Sequence, residues 1–420
     1  MDTIVIKGGA TLSGTVSTGG AKNAALPLLF ATLLADGEYR FRNVPRLRDI
    51  DSTLLLLEHL GTRVDRSGDT LSVHAVECGH LDAPYDIVRK MRASILCLGP
   101  LLARYGRAKV SLPGGCAIGS RPINLHIEAL QQMGAEIDIE HGYVIARAKR
   151  LHGACIVFEN ATVGGTENLM LAATLASGTT VIENAAKEPE IVDLADCLVK
   201  MGAQIDGAGS SVITIEGVDQ LRPCSHRVIP DRVEAGTLLI AGAITGGDVR
   251  VNDCVPGHID ALTQRMAECG FRVDAGSDWL RVLPCDGWRA VDISTAPYPG
   301  FPTDLQAQFM ALMTVARGTS VITERIFENR FMHVQELVRM GANITPKTQV
   351  AIVRGRPGGL NGAPVMATDL RASASLVLAG LVAQGETTVN RIYHLDRGYE
   401  RLEAKLKTLG AAIERRAGEG

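Results

Sequence analysis

The chain has 420 residues, 46% of them hydrophobic, and a formal net charge of −3, and this size predicts two domains. The mild acidity argues against a general nucleic-acid or membrane-surface binder, so any anion must be recognised by local Arg and Lys side chains. No basic segment followed by an apolar run opens the chain, and the longest apolar stretch, 24–35, is too short to span a bilayer. Nine cysteines without a C-x-x-C pair argue against a disulfide framework or a zinc site. We therefore expect a cytoplasmic protein.

Two short sequence patterns recur along the chain. In the first, a helix ends at a Gly and one strand follows, as in LLARYGRAKVSL and TVARGTSVITER. In the second, a helix ends at a Gly and a strand pair follows, at intervals of 68 to 73 residues. The glycines of the second pattern are Gly61, Gly134, Gly202, Gly270, Gly341 and Gly410. Because both patterns keep phase, they predict six copies of a βαβαββ unit and an α/β fold class.

The sixth unit lacks its last strand, and the first residues of the chain supply a similar segment. TIVIKG at 3–8 resembles VITIEG and VAIVRG, which end complete units. We therefore predict that 3–8 pairs with the C-terminal unit and that the chain forms two lobes of three units each. The first lobe would span 22–229, and the second would combine 1–21 with 230–420. Two chain crossings would join the lobes in a hinge-like arrangement suited to closing on a ligand.

One position in each unit starts a long apolar helix but differs chemically between units. It precedes the Gly of the first pattern by fourteen residues and is occupied by Asn23, Arg92, Gly164, Arg232, Asp304 and Arg371. Helix N-termini present free N–H groups and bind anions. Capping alone explains Asn or Asp there, whereas Arg at this positive end is unfavourable unless an anion or a carboxylate joins it. The pattern therefore favours a shared anion site over six unrelated caps.

Two candidate segments lie in the first lobe. In GGAKNAALP, a Gly pair leads to Lys22, whose charge suits a phosphate, although the Walker A spacing is absent and a plain surface Lys is the alternative. In SLPGGCAIGSRP, Pro and three glycines predict a lid-like loop that contains Cys116 near Arg121. Positive neighbours favour the reactive thiolate, so we interpret Cys116 as a chemical residue. Cys97 and Cys197 lie in apolar helical runs, which is typical of inert core residues.

Two further candidate segments lie in the second lobe. YPGFPTDLQ brings Asp304 to a helix start, where a carboxylate can accept a hydroxyl proton or serve only as an N-cap. ATDLR contributes Asp369 and Arg371, while FENRF and DRGY contribute Arg330 and Arg397. For each Arg, the alternative is an ordinary surface ion pair of little energetic value.

Together these segments are similar to those of the UDP-N-acetylglucosamine 1-carboxyvinyltransferase family of enolpyruvyl transferases. The similarity covers essentially the whole chain, through SGTVSTGGAKNAALPLLFA, APYDIVRKMRASI, SLPGGCAIGSRP, FPTDLQAQF, FENRFMH and ATDLRASASLVLAG. The resemblance implies the enolpyruvyl transferase fold, two inside-out α/β barrel lobes of three βαβαββ repeats each. The related 3-phosphoshikimate 1-carboxyvinyltransferases lack the loop cysteine and begin their first helix with a D-K-S-type motif, where this chain has AKNAA.

The resemblance also implies an activity. The donor would be phosphoenolpyruvate and the acceptor the 3′-hydroxyl of UDP-N-acetylglucosamine, joined by addition and then by elimination of phosphate. This reaction is the first committed step of peptidoglycan synthesis, and neither a metal nor an organic cofactor is implied. Physically, two anions must meet, which requires several cations in a closed, dry site.

The resemblance assigns the donor-binding roles residue by residue. Lys22, Arg121 and Arg397 would hold the phosphate of the donor, and Arg330 and Arg371 would hold the region of its carboxylate. Lys22, Arg121, Arg330 and Arg371 lie in the family segments quoted above, and Arg397 lies in DRGY.

The remaining roles concern the reacting groups and the acceptor. Cys116 would protonate the methylene carbon of the donor and would be able to form a covalent adduct with it, while Asp304 would accept the hydroxyl proton. Asn23 would orient the intermediate, and Asp369 would add charge beside Arg371. The nucleotide-sugar contacts would be Arg92, Arg121, Pro122, Ile123, Asn124, Leu125, Asn160, Ala161, Thr162, Val163 and Ile326. The family often has an acid where Asn124 stands and a Lys where Asn160 stands, so these two departures bear on nucleotide-sugar affinity.

Three alternative functions remain at this point. The first is transfer to shikimate 3-phosphate, which shares the fold and the donor. The second is a catalytically silent regulatory paralogue, which the retained Cys116, Asp304 and Arg397 disfavour. The third is RNA-end processing by a fold-related cyclase, which the mild acidity and the lack of a basic patch disfavour.

We predict that the epoxide antibiotic fosfomycin alkylates Cys116, because the nearby Arg121 favours the reactive thiolate of this loop cysteine. Peptide mass mapping after incubation measures this. The Cys116→Asp variant is the control: we expect it to escape alkylation and to retain turnover, since a carboxylic acid also donates a proton. An unchanged mass, or labelling at another cysteine, would contradict the assigned role.

Overall fold

The computed structural model describes residues 2–89, 91–112 and 123–418. The chain divides into two compact units. The first unit consists of the described residues within 20–229, and the second unit consists of those within 2–19 and 230–418. Each unit has its own core of buried apolar side chains.

All six sheets found among the described residues have four strands and one topology. An edge strand runs parallel to its neighbour, and the other two strands add antiparallel to complete each sheet. In spatial order, the sheets of the first unit are Ser225–Arg227, Gly37–Arg42, Thr70–Ala75 and Arg63–Ser67; Asp82–Ala83, Arg107–Ser111, Tyr143–Arg147 and Glu136–Glu140; and Cys155–Val157, Thr179–Glu183, Val212–Glu216 and Gln204–Asp206. Those of the second unit are Ser13–Ser17, Asp248–Asn252, Trp279–Val282 and Val273–Ala275; Ile293–Ser294, Gly318–Thr323, Val350–Gly355 and Asn343–Pro346; and Pro364–Met366, Glu386–Asn390, Thr3–Lys7 and Ala412–Arg416.

Both units contain α-helices and short 3-10 helices. The α-helices of the first unit are Lys22–Ala31, Arg48–Leu60, Tyr85–Val88, Leu98–Tyr105, Asn124–Gln132, Val163–Ala173 and Pro189–Met201, with 3-10 helices Thr32–Leu34 and Arg92–Cys97. Those of the second unit are Arg232–Ile244, Asp260–Cys269, Gln306–Thr314, Val334–Arg339, Ala372–Val382 and Leu402–Thr408, with 3-10 helices Pro256–Ile259, Thr303–Leu305 and Leu395–Arg397. Within the described residues, no helix combines the length and apolarity needed to cross a bilayer.

Three helices of the second unit show why the fold is an inside-out barrel. Arg232–Ile244, Gln306–Thr314 and Ala372–Val382 are buried on nearly every side and pack against one another, whereas the sheets lie around them. A helix that is apolar all round is stable only inside a core. The polar or charged residue at the start of such a helix is therefore held on a rigid element.

The repeat glycines have the conformation that their pattern predicts. All six glycines of the second pattern have positive φ, between 92° and 114°, and Gly61, Gly202 and Gly270 end their helices in the left-handed region. A side chain is unfavourable there, which explains why Gly recurs at this position.

The first strand of the chain, Thr3–Lys7, lies inside a sheet of the second unit. It pairs antiparallel with Glu386–Asn390 on one side and with Ala412–Arg416 on the other. Ile4 and Ile6 on this strand are fully buried. The strand therefore occupies the place that the last strand of the βαβαββ unit takes in the other five sheets.

Candidate active site

The six equivalent positions of the repeats all lie at helix starts. Asn23, Arg92 and Gly164 in the first unit, and Arg232, Asp304 and Arg371 in the second, are each within two residues of the first residue of an α-helix or 3-10 helix. The repeat pattern therefore located these backbone sites correctly. The side chains at these positions determine what each unit contributes.

Asp304 is the carboxylate at the centre of a charged cluster in the second unit. Arg330 Nη2 donates a hydrogen bond to Asp304 Oδ1 at 2.7 Å, and Arg330 Nη1 donates to Thr303 Oγ1 at 2.8 Å. The Thr303 hydroxyl in turn donates to Glu324 Oε2 at 2.8 Å. Arg330 is buried, whereas the Asp304 side chain is 25% exposed. The turn that carries Thr303 and Asp304 thus fixes the guanidinium of Arg330, while the Asp304 carboxylate stays accessible.

Arg371 is the most deeply buried cation of this cluster, with 2% of its side chain exposed. Its Nε lies 3.4 Å from Asp304 Oδ2, and its Nη2 lies 3.9 Å from Asp231 Oδ2. Its Nη1 donates to the Gly398 carbonyl oxygen at 3.2 Å, and the guanidinium lies 5.3 Å from the ring centroid of Tyr399. Charge, hydrogen bonding and a π face therefore compensate for the loss of water.

The electrostatics of Arg371 favour a permanent cation. Burial alone would lower its pKa, but the carboxylates of Asp231 and Asp304 outweigh burial and raise the pKa above its ordinary value. A surface ion pair does not describe Arg330 or Arg371, because both side chains are almost entirely removed from solvent. The cluster thus presents two fixed guanidinium groups beside one accessible carboxylate.

Asp369 holds the start of the helix that follows Arg371. Its Oδ1 accepts hydrogen bonds from the backbone N–H groups of Arg371 at 2.8 Å and Ala372 at 2.9 Å, which is N-capping. The neighbouring His333 is fully buried. Burial lowers the pKa of His333 to about 4, with the charge of Asp369 opposing this shift and that of Arg330 adding to it. His333 is therefore neutral near pH 7.

Two other predicted residues of the second unit lie on short turns. Arg397 is half-buried at the end of the 3-10 helix Leu395–Arg397, and burial followed by the Arg397 charge lowers the pKa of His394. The Ile326 backbone N–H donates to Glu324 Oε1 at 2.8 Å. Since Glu324 also accepts from Thr303, this carboxylate connects the Ile326 turn to the turn that carries Asp304.

Lys22 is a buried cation at a helix start of the first unit. It is the first residue of the helix Lys22–Ala31, and its Nζ lies 2.7 Å from Asp49 Oδ2. Only 7% of the Lys22 side chain and 5% of the Asp49 side chain are exposed. The alternative of a plain surface Lys is therefore wrong. Asn23, the next residue, is half-buried.

Arg92 lies beside a buried polar network of the first unit. Asn168 Nδ2 donates to His126 Nδ1 at 3.0 Å, and Asn168 Oδ1 accepts from the Gly99 N–H at 2.8 Å. Both side chains are buried. Burial, and after it the charge of Arg92, lowers the pKa of His126 to about 4. A neutral His126 that accepts from Asn168 thus stabilises the helix Asn124–Gln132 near Arg92.

The predicted nucleotide-sugar residues of the first unit lie at two helix starts. Asn124 and Leu125 begin the helix Asn124–Gln132, and Asn124 Nδ2 donates to Glu128 Oε1 at 3.3 Å. Asn160, Ala161 and Thr162 precede the helix Val163–Ala173, and Thr162 caps it by accepting from the Gly165 N–H at 3.3 Å. The members of both segments are exposed or half-buried: Ile123, Asn124, Leu125, Asn160, Ala161, Thr162 and Val163.

Three predicted site residues lie outside the described residues. They are Cys116, Arg121 and Pro122, which all belong to the segment 113–122. Their assigned roles remain predictions from the sequence.

Sequence reasoning missed several residues that hold the predicted groups in place. Asp231 carries a readable signal, because it directly precedes Arg232 at a helix start, and its Oδ1 accepts from the backbone N–H groups of Val233 and Glu234. Asp49 and His126 carry no such signal, because their contacts arise only when separate helices pack. Among the described residues, no group of three or more His, Cys, Asp and Glu side chains is arranged to hold a metal ion.

A family model and several named proteins match this chain over its length. The model described as EPSP synthase (3-phosphoshikimate 1-carboxyvinyltransferase) matches residues 6–406. A UDP-N-acetylglucosamine 1-carboxyvinyltransferase of Bdellovibrio bacteriovorus is 64% identical over 412 residues, which covers 98% of this chain and 100% of that protein. Proteins of the same name from Geobacter metallireducens and Myxococcus xanthus are each 57% identical, over 415 and 418 residues, and cover 99% of each chain.

Solved structures are similar over the same extent. The enolpyruvyl transferase NikO from Streptomyces tendae gives a TM-score of 0.89 at 27% identity, covering 100% of this chain and 99% of that one. The EPSP synthase of Acinetobacter baumannii gives a TM-score of 0.78 at 17% identity, covering 99% of this chain and 100% of that one, which shows the fold alone. The predicted fold class is confirmed.

We predict that His126 makes the protein less stable as the pH falls from about 6.5 to about 4. Burial lowers the pKa of His126 from 6.5 to about 4, so between these two pH values the unfolded chain binds a proton at His126 and the folded chain does not. This pKa difference corresponds to about 3 kcal/mol in the free energy of unfolding. That amount is fully present above pH 6.5 and is lost progressively toward pH 4. Urea unfolding across this range measures the effect.

The matched variants are His126→Asn and His141→Asn, since His141 is exposed in the same unit. The former should weaken the loss of unfolding free energy toward pH 4, to which the buried His333 also contributes, and the latter should leave that loss unchanged. An unaltered pH dependence in His126→Asn would show that this histidine is not the source.

Proposed function

Because the chain belongs to the UDP-N-acetylglucosamine 1-carboxyvinyltransferase family of enolpyruvyl transferases, we propose that it transfers the enolpyruvyl group of phosphoenolpyruvate to the 3′-hydroxyl of UDP-N-acetylglucosamine. Phosphate is the second product. The reaction commits the nucleotide sugar to peptidoglycan synthesis, and we place it in the cytoplasm. The proposed chemistry uses side chains alone.

The full-length identity of 64% to a protein of that name carries this proposal. The family model describes the shikimate enzyme, yet the identity to a solved enzyme of that kind is only 17%. Transfer to shikimate 3-phosphate is therefore the second candidate and has weaker support. Retention of Cys116, Asp304 and Arg397 disfavours a catalytically silent paralogue.

The donor carries two anionic groups, and we assign cations to each. Lys22, Arg121 and Arg397 take the phosphate, and Arg330 and Arg371 take the carboxylate. The buried geometry of the last two supports this assignment, because fixed cations need little reorganisation when charge develops. Asp369 positions Arg371 by capping the helix that starts beside it.

In the addition step, the 3′-hydroxyl oxygen attacks C2 of the donor while its proton passes to the Asp304 carboxylate. The Cys116 thiol gives a proton to the methylene carbon, which becomes a methyl group. In the elimination step, the bond from C2 to the phosphate oxygen breaks and the phosphate leaves with the proton that Asp304 had taken, while a proton passes from the methyl carbon back to the Cys116 thiolate as the double bond returns. Asn23 orients the tetrahedral intermediate. Asp304 suits its role because Arg330 fixes one oxygen while a quarter of the side chain stays exposed.

The acceptor contacts come mainly from the first unit, with Ile326 as the contribution of the second. Exposed and half-buried residues at helix starts support this, since backbone N–H groups and side-chain amides there bind phosphate and sugar oxygens. The family often has an acid at the position of Asn124 and a Lys at that of Asn160. These two asparagines would therefore make neutral contacts to the nucleotide sugar in place of charged ones. We assign the nucleotide sugar to Arg92, Arg121, Pro122, Ile123, Asn124, Leu125, Asn160, Ala161, Thr162, Val163 and Ile326.

The acceptor assay tests the proposed function. Purified protein is mixed with phosphoenolpyruvate and either UDP-N-acetylglucosamine or shikimate 3-phosphate, and phosphate release is measured. We expect release with the nucleotide sugar and none with shikimate 3-phosphate. Release only with shikimate 3-phosphate would replace the proposal, and nucleotide-sugar binding without any release would favour the silent paralogue.

We predict that Asp304→Asn lowers kcat by about 10² to 10⁴-fold, the usual contribution of a positioned acid or base. The amide oxygen still accepts from Arg330, so the fold should persist and circular dichroism should match the wild type. Asp274→Asn, at a partly exposed carboxylate of the same unit that pairs with Arg272, is the control and should leave kcat unchanged. A wild-type kcat in Asp304→Asn would exclude Asp304 from proton transfer.

A further inference from the structure

One face of the helix Pro189–Met201 meets the strand Ser225–Arg227 through polar and sulfur-containing side chains. Asp193, Cys197 and Lys200 follow one another at spacings of four and three residues, which places them on the same helix face. Opposite them, Cys224 directly precedes the strand and His226 lies within it. This face is separate from the residues assigned to catalysis.

His226 fixes the strand against this helix face. Its Nε2 donates to Asp193 Oδ1 at 2.8 Å, and its Nδ1 accepts from Lys200 Nζ at 2.9 Å. The side chains of His226 and Asp193 are each only 3% exposed. Because the hydrogen bond between His226 and Asp193 is buried and both hydrogen bonds are directional, they set which residues of the two elements face each other.

The contact brings two thiols together. Cys197 Sγ lies 3.6 Å from Cys224 Sγ, although 27 residues separate them in the chain. Cys197 is buried, whereas Cys224 is partly exposed. Two sulfur atoms at van der Waals distance, on elements fixed by a neighbouring hydrogen-bond network, need little movement to reach bonding distance.

The surroundings distinguish the two sulfur atoms. The contact with the Cys197 thiol lowers the pKa of Cys224, burial opposes this shift, and the Lys200 ammonium adds to it. The same contact, followed by burial, raises the pKa of Cys197 well above its ordinary value. Because Cys224 is partly exposed and Cys197 is buried, peroxide reaches Cys224 first, and Cys197 is placed to resolve what forms on it.

We propose that Cys197 and Cys224 are a redox modification site, a dithiol that peroxide converts into a disulfide. The site is independent of the proposed transferase activity, since neither thiol has a role in it.

The chemistry balances with peroxide as the two-electron oxidant. The Cys224 thiolate attacks one peroxide oxygen, the O–O bond breaks, and water leaves after protonation, which gives a sulfenic acid on Cys224. The Cys197 sulfur then attacks the Cys224 sulfur, the S–O bond breaks, and a second water carries away the oxygen and the thiol proton. Two thiols and one hydrogen peroxide thus give one disulfide and two waters. The disulfide tethers the helix to the strand and is reversible by a small thiol.

Peptide mapping under non-reducing conditions tests the proposal. The full chain is treated with hydrogen peroxide, free thiols are alkylated, and trypsin is added. Trypsin releases 188–200 and 201–227, because the bond before Pro223 resists cleavage. We expect these two peptides to appear linked, with the loss of two hydrogens, and to separate after reduction. Cys224→Ser should abolish the link, and Cys155→Ser, at an exposed thiol of the same unit, should retain it.

Other results of the same experiment would contradict the proposed disulfide. A link from Cys197 or Cys224 to a different cysteine, or peroxide oxidation of Cys224 that never produces the link, would overturn the proposal. A link that forms as readily in denaturant would show that the folded geometry does not promote it. Because Cys224 is partly exposed, its Ser variant should fold, which circular dichroism checks.

Discussion

The second unit depends on one buried cation, the guanidinium of Arg371. A charge removed from water is unfavourable unless carboxylates and hydrogen bonds replace the lost solvation. Asp231 and Asp304 supply the carboxylates, and the Gly398 carbonyl and the Tyr399 ring supply the rest. Arg371, Asp231 and Asp304 lie at the starts of three helices that pack together, so the ion cluster and the helix packing require each other. In the proposed function, a donor carboxylate would bind to cations that folding has already positioned.

The repeat architecture explains how such a site arises from six similar units. The buried helices need the same apolar side chains in every unit, and the glycines after them need the same left-handed backbone. Only the helix starts are free to vary without loss of core packing. There the chain has Asn23 and Arg92 in one unit and Asp304 and Arg371 in the other. One scaffold therefore presents different chemistry at equivalent places.

Much of the fold and of the candidate site could be predicted from the sequence, but the contacts between separate elements could not. Periodic glycines and helix starts are local features, so they located the βαβαββ units and the six variable positions. Contacts between elements are not local: the pairing of Lys22 with Asp49, and the approach of Cys224 to Cys197, depend on how helices and strands pack. An apolar helical run correctly indicates that Cys197 is buried, but it does not show the thiol of Cys224 across the contact.

A double-mutant comparison tests the dependence of Arg371 on its carboxylates most directly. The free energy of unfolding in urea is measured for Arg371→Gln in the wild-type chain and in a chain that already carries Asp231→Asn and Asp304→Asn. We expect the substitution to cost about 3–5 kcal/mol in the wild type, because it removes the buried cation that faces the carboxylates of Asp231 and Asp304, and clearly less in the double variant. Equal costs in the two chains would contradict the account, since Arg371 would then be held by packing rather than by charge.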